Sequence, residues 1–101
     1  MKTSSSFRRN KSMIIVSYDI SDNKLRTQFS HFLMEYGDRL QYSVYEIKNS
    51  NRVLNIITAE IENRFEKRFS NADSVLIFRF HERELIRYGH ATHRTMRLVS
   101  L

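Results

Sequence analysis

Met13, Ile14, Ile15 and Val16 follow one another without a polar residue, and Val75 to Phe78 repeats the pattern late in the chain. A strand sends successive side chains to opposite faces, so a segment with no polar member is apolar on both. The β-branched content of both segments favours strand. A sheet built on them needs a cover on each side. This requirement constrains the fold more than any other feature of the 101 residues. The length bounds the answer to one small domain with a modest core.

The pattern between the two segments supplies a cover for one side. Asp22 is placed to cap a helix. Leu25, Phe29, Phe32, Leu33 and Tyr36 then form an apolar helical stripe. Gly37 follows where a left-handed C-terminal cap is expected. Residues 39–48, RLQYSVYEIK, read as extended, with a bend near Gln41 to Ser43 that divides them into two short strands. After a turn at Asn49 to Asn51, a second stripe runs through Leu54, Ile57, Ile61, Phe65 and Phe69, with Glu60 and Arg64 set for an i,i+4 ion pair. Ser70 to Asp73 break that helix, and SVLIFRF at 74–80 is the last strong strand. The order is βαββαβ. Right-handed crossovers put both helices on one face, which is the α+β ferredoxin-like sandwich. The other face needs a different cover, and a two-fold copy of the chain is the simplest one. A homodimer joined through the open sheet face is therefore expected.

The net charge of +6 is concentrated at the ends. Residues 1–12 carry Lys2, Arg8, Arg9 and Lys11 with no acid and read as a flexible basic extension to the domain at 13–80. Residues 79–101 hold five arginines against Glu82 and Glu84, whereas 13–78 is nearly neutral. Each basic end suits either a solvated tail or a nucleic-acid contact. There is no cysteine, which excludes disulfides and thiolate metal sites and permits a cytoplasmic setting. No apolar run is long enough to span a bilayer, and no apolar h-region follows the basic start, so neither a membrane protein nor a secretory signal is expected.

The chemistry-bearing residues are few. Asp19 stands between Tyr18 and Ile20 at the end of the first strand. A carboxylate beside buried apolar surface is costly unless it is paired, hydrogen-bonded or metal-bound. It also suits a turn, so the local sequence leaves both readings open. Arg26 and Arg39 can neutralise backbone phosphates or join exposed ion pairs with Glu35 or Asp38. Tyr42, Tyr45 and Phe78 can stack on bases, or fill the core and a dimer interface. His31 reads as a surface histidine, and His90 and His93 have a helix-like metal spacing within the tail.

Taken together, YDISD at 18–22, the Leu25–Arg26 pair, the glycine after the first helix, RLQYSVYE at 39–46 and SVLIFRF resemble the CRISPR-associated protein 2 family. The likeness covers about residues 13–80, and the segment before Met13 is additional to the family pattern. The resemblance implies a ferredoxin-like homodimer that bridges dimers of the CRISPR integrase, CRISPR-associated protein 1, and holds foreign double-stranded DNA for spacer acquisition. It also implies an alternative, since some members are described as magnesium-dependent endonucleases acting on RNA or double-stranded DNA. In those members one magnesium ion is held by the strand-end aspartate of both protomers, which is Asp19 here. By the same match Asp19 and Tyr18 fall in the catalytic position, and Arg26 and Arg39 in nucleic-acid-binding positions. Gln28 stands where some members have a second arginine, and Tyr45 where phenylalanine is common. The sandwich also resembles toxin-like ribonucleases, a weaker match.

The segment 81–101 is expected to serve dimer and partner contacts. Glu84 to Tyr88 reads as a short strand that needs an existing sheet edge. The resemblance implies that this edge belongs to the other protomer, and that Met96, Leu98, Val99 and Leu101 meet the partner with Arg94 and Arg97 at the rim.

Overall fold

The computed structural model describes residues 12–89. The basic extension up to Lys11, the histidine pair His90 and His93, and the tail residues Arg94, Met96, Arg97, Leu98, Val99 and Leu101, for which roles are expected, lie outside the described residues.

Strand β1 (Ser12–Asp19) is followed by helix α1 (Asn23–Met34), β2 (Gly37–Gln41), β3 (Val44–Ile47), helix α2 (Asn51–Glu60) and β4 (Ser74–His81). The four strands form one sheet in the order β2-β3-β1-β4. All pairings are antiparallel, with Val16 opposite Tyr45 on one side and opposite Ile77 on the other. This is the expected ferredoxin-like sandwich. The first strand starts one residue earlier than the sequence suggested, because Ser12 pairs with His81 across the β1–β4 ladder.

Sequence-local signals act as read. The Asp22 carboxylate accepts the Leu25 amide at 2.8 Å, which satisfies one of the donors a helix N-terminus leaves without a partner. Ser50 caps α2 in the same way through the Val53 amide. Arg64 Nε donates to Glu60 Oε1 at 2.8 Å. The second apolar stripe does not run as one helix, however. After Glu60 it continues as a π-helical turn (Ile61–Phe65) and a 3-10 turn (Glu66–Arg68). The wider turn carries Phe65 fully into the core.

One local expectation is corrected. Gly37 is not a left-handed helix cap: it is the first residue of β2 and pairs with Ile47. A Cβ at this position would lie 2.0 Å from the Glu46 carbonyl oxygen and 2.6 Å from the Ile47 Cα, so the two strands approach over bare backbone. The segment Glu84–Tyr88, expected to add to a strand edge of the other protomer, is not paired within one chain. Glu82–Glu84 make a 3-10 turn, and Leu85–Tyr88 carry no sheet pairing, although Leu85 keeps extended torsions. The segment leaves Ile86 75% and Tyr88 89% exposed.

The core divides by face. Ile14, Val16 and Tyr18 of β1, with Tyr45 and Ile47 of β3, point under the helices and meet Leu25, Phe29, Leu33, Ile57 and Phe65. Met13 and Ile15 point the other way, where Leu40 joins them and Val44 and Phe80 pack at the margin. On this second face Leu76 and Phe78 are 55% and 47% exposed.

Candidate functional site

Asp19 is the last residue of β1, and its side chain is exposed. Alternation along the strand puts it on the same face as Ile15, away from the helices. Ser74 is its cross-strand partner, so a hydroxyl stands beside the carboxylate on that face. The loop that follows is fastened by a residue distant in sequence but adjacent at the end of the sheet. Asp73, between α2 and β4, accepts the Ser21 amide at 2.9 Å and the Ser21 hydroxyl at 3.0 Å through one oxygen. Its other oxygen accepts the Ser70 amide at 2.8 Å. These backbone amides, Ser70 first, hold the Asp73 carboxyl below its ordinary value. Sequence reading treated Asp73 as part of a helix breaker. Its partner is 52 residues away, so no local pattern marks it.

Tyr18 turns the opposite way. Its ring packs edge-on to Phe29 at 5.0 Å and stacks with Tyr45 at 6.3 Å. Burial pushes its phenol above the ordinary value, and a hydrogen bond with Ser30 pulls in the other direction. The pairing of Asp19 with Tyr18 in one catalytic site is thus corrected: neighbours in sequence, they point to opposite faces of the strand.

Tyr45 is corrected as a dimer or partner contact. It is wholly buried beneath α1, and its hydroxyl shares a 2.5 Å hydrogen bond with Ser30. Tyr42 and Phe78, grouped with it as base platforms or as fillers of the core and the dimer interface, are 65% and 47% exposed in the single chain, which keeps them out of its core and leaves the other two roles open. Tyr42 stands at the tight turn between β2 and β3, where Ser43 adopts φ 67°. That turn and the irregular register between Arg39 and Gln41 decide which face each residue of the hairpin takes.

The structure brings Arg26 and Arg39 to one place. Both line a groove of ≈ 340 Å³ between α1 and the β2–β3 turn, together with Tyr18, Ser30, His31 and Tyr42. Arg26 is held by the loop after β1: Nη1 donates to the carbonyls of Ile20 at 3.0 Å and Ser21 at 3.4 Å, and Nη2 donates to Asn23. Arg39 lies over the Tyr45 ring, 5.9 Å from its centre. The hydrogen bond with Tyr45, which outweighs partial burial, raises the guanidinium above its already high ordinary value. Gln28 has a cation beside it after all: Arg68, from the turn after α2, donates to its Oε1 at 2.7 Å. The charge that residue 28 lacks is therefore delivered from residue 68, a long-range substitution that sequence spacing does not reveal.

Among the described residues no group of three His, Cys, Asp or Glu side chains is placed to hold a metal ion. No helix among them is long and apolar enough to cross a membrane.

This arrangement can be set beside known proteins. The family profile described as CRISPR associated protein Cas2 matches residues 12–87. The chain is 32% identical over 66 residues to the CRISPR-associated endoribonuclease Cas2 3 of Synechocystis sp., a match spanning 65% of this chain and 67% of that one. Its fold is similar to that of a hypothetical protein from Thermus thermophilus (TM-score 0.66, 24% identity, 84% of this chain and 99% of that one). It is also similar to Streptococcus pyogenes Cas2 (TM-score 0.62, 20% identity, 76% of this chain and 99% of that one).

Proposed function

The chain belongs to the CRISPR-associated Cas2 family, and from that premise we propose that it acts as a homodimeric adaptor in spacer acquisition, gripping double-stranded DNA and bridging dimers of the CRISPR integrase. The observation that carries this reading is the division of labour across β1. The cations that suit phosphates, Arg26 and Arg39, share a groove on the helix side. Asp19 faces the other way. A phosphate held in the groove of one chain is not presented to the carboxylate of the same chain. Such a surface grips the backbone without reading sequence.

The open face gives the adaptor its symmetry. Met13, Ile15 and Leu40 are buried there, while Leu76 and Phe78 stay half exposed beside them. A second copy laid on this face removes that apolar surface from water and brings two Asp19 residues into one assembly. The unpaired segment Leu85–Tyr88 then has a neighbouring edge to join.

A second reading, a magnesium-dependent endonuclease, has a specific observation in its favour: Asp19 is exposed at the strand end with Ser74 beside it. Oxygen donors suit magnesium, which keeps most of its waters. Among the described residues no group of three carboxylate or imidazole side chains gathers around Asp19, so under this reading Asp19 of both protomers would hold the ion. When bound, such an ion polarises a phosphate and lowers the pKa of a coordinated water. The relative from Synechocystis sp. is named an endoribonuclease, and under this reading RNA is the substrate to try first.

One experiment separates the readings. The dimer is combined with its integrase and a duplex fragment, and integration and strand cleavage are both scored for the wild type and Asp19→Ala. The adaptor reading expects integration to persist in the variant; its loss in a folded variant that still binds the integrase contradicts that reading. The nuclease reading expects magnesium-dependent cleavage that Asp19→Ala abolishes. Cleavage surviving the substitution places the chemistry elsewhere.

A further inference from the structure

The groove between α1 and the β2–β3 turn has more in it than a duplex backbone contact uses. Among the described residues its lining holds two arginines and a histidine and no carboxylate. It is also supplied with hydroxyls that are held in place. Tyr18 and Ser30, only 7% and 8% exposed, lie at its inner wall, and Ser30 is fixed by its bond to Tyr45. At the outer wall the chemistry changes. The Tyr42 ring and the Met34 thioether, 65% and 56% exposed, give the mouth two large apolar surfaces that the fold does not cover. At ≈ 340 Å³ the volume falls at the lower end of small-ligand clefts, roughly 300–1,000 Å³.

A cationic floor beneath an aromatic mouth suits a ligand that is anionic at one end and flat and apolar at the other. We propose that this groove is a seat for a single nucleoside phosphate, with the phosphate on Arg39, Arg26 and His31 and an unstacked base against Tyr42. The preorganisation is built in. Arg26 is held by loop carbonyls and Arg39 lies on Tyr45, so both guanidiniums are positioned before an anion arrives. A base paired within a duplex cannot lie on Tyr42, so the seat takes an unpaired nucleotide, either free or at a strand end. The inference rests on the nucleic-acid reading only for the source of that nucleotide.

The chain has four methionines, and Met34 is the one that lines the groove, while Met13 lies on the open face. Methionine methyl labelling therefore gives an NMR probe at the seat and a control elsewhere. The Met34 signal is followed in the full chain during titration with 5′-phosphorylated thymidine dinucleotide, its 5′-hydroxyl counterpart, thymidine 5′-monophosphate and inorganic phosphate. The phosphorylated dinucleotide is expected to move Met34 and leave Met13 still, with an affinity about tenfold above that of inorganic phosphate, as base stacking contributes. Tyr42→Ala, at an exposed turn position, should weaken the dinucleotide by about 5- to 10-fold and leave inorganic phosphate unchanged. Arg39→Gln should weaken both. Equal affinity for the monophosphate and the phosphorylated dinucleotide assigns the seat to a free nucleotide, and tighter binding of the dinucleotide assigns it to a strand end. A silent Met34 overturns the proposal. So does a response that is the same for inorganic phosphate and the dinucleotide, or for the phosphorylated and hydroxyl forms. Duplex binding is measured in parallel by fluorescence anisotropy. If it persists while Met34 stays silent, the seat is refuted and the adaptor reading stands.

Discussion

The two faces of one sheet meet opposite fates in this molecule. Under the helices, Phe29, Tyr45, Phe65 and Leu33 are completely buried, with the Phe29 and Phe65 rings edge to face. On the other side Met13, Ile15 and Leu40 form a small buried patch, and Leu76 and Phe78 remain open to solvent. The residues of β1 that serve these faces alternate along one strand and are chemically alike. What distinguishes them is what lies above. One face is finished by the chain's own helices, and the other is unfinished. The first therefore governs whether a single chain folds, and the second is the face proposed to meet a second copy.

Substitutions on the two faces should separate along that line, and the largest effect belongs to the closed face. Phe29→Ala removes a ring packed against Tyr18 and Phe65, and is expected to cost about 3–5 kcal/mol in urea denaturation. A small loss would mean that the helix-side core is not what holds the chain together. Phe78→Glu is the counterpart on the open face. It should leave the circular dichroism of the chain unchanged while raising the dimer dissociation constant by at least about 30-fold, or ~2 kcal/mol. Unfolding by Phe78→Glu would erase the distinction between the faces.

Much of this division was legible in the residues. An unbroken apolar run in β1 demanded two covers, and the stripes of α1 and α2 supplied one. Asp22 and the Glu60–Arg64 pair declared themselves because their partners are three and four residues away. What escaped notice was set at long range. Gly37 was given a helix-cap role because its true constraint, the Glu46 carbonyl, lies across a strand pair. The side taken by Tyr45 depends on a two-residue turn and an irregular register, and a slip of one residue in either reverses it. The segment Glu84–Tyr88 has strand composition but pairs with neither edge of its own sheet, and composition does not say which edge a strand joins. Of the site, Asp19 was identified by position, whereas the meeting of Arg26 with Arg39 and of Arg68 with Gln28 required the fold.

Smaller effects sharpen the picture. Tyr45→Phe removes one of the two tyrosine hydroxyls that meet Ser30, leaving Tyr18 as its partner, and is expected to cost about 1 kcal/mol, most of it absent when Ser30→Ala is already present. Equal costs in both backgrounds would show that the bond contributes nothing. The Asp73 anchor should appear in acid. Its folded carboxyl titrates below its ordinary value of 3.8, so its contribution is present above that pH and is lost as pH falls through the lowered value. In melts taken from pH 5 downward, the wild type should lose more of its Tm below about pH 4 than Asp73→Asn does. Parallel curves would remove Asp73 from the account.

The central claim is that the open face is finished by a second copy of the chain. Sedimentation velocity of the full chain tests it most directly, with Phe78→Glu run alongside as the matched control. The account predicts that the wild type sediments at twice the 12.2 kDa of one chain, and that the variant sediments at the single-chain mass while remaining folded. A wild type that stays at 12.2 kDa across the accessible concentration range, or a variant that remains dimeric, would contradict it.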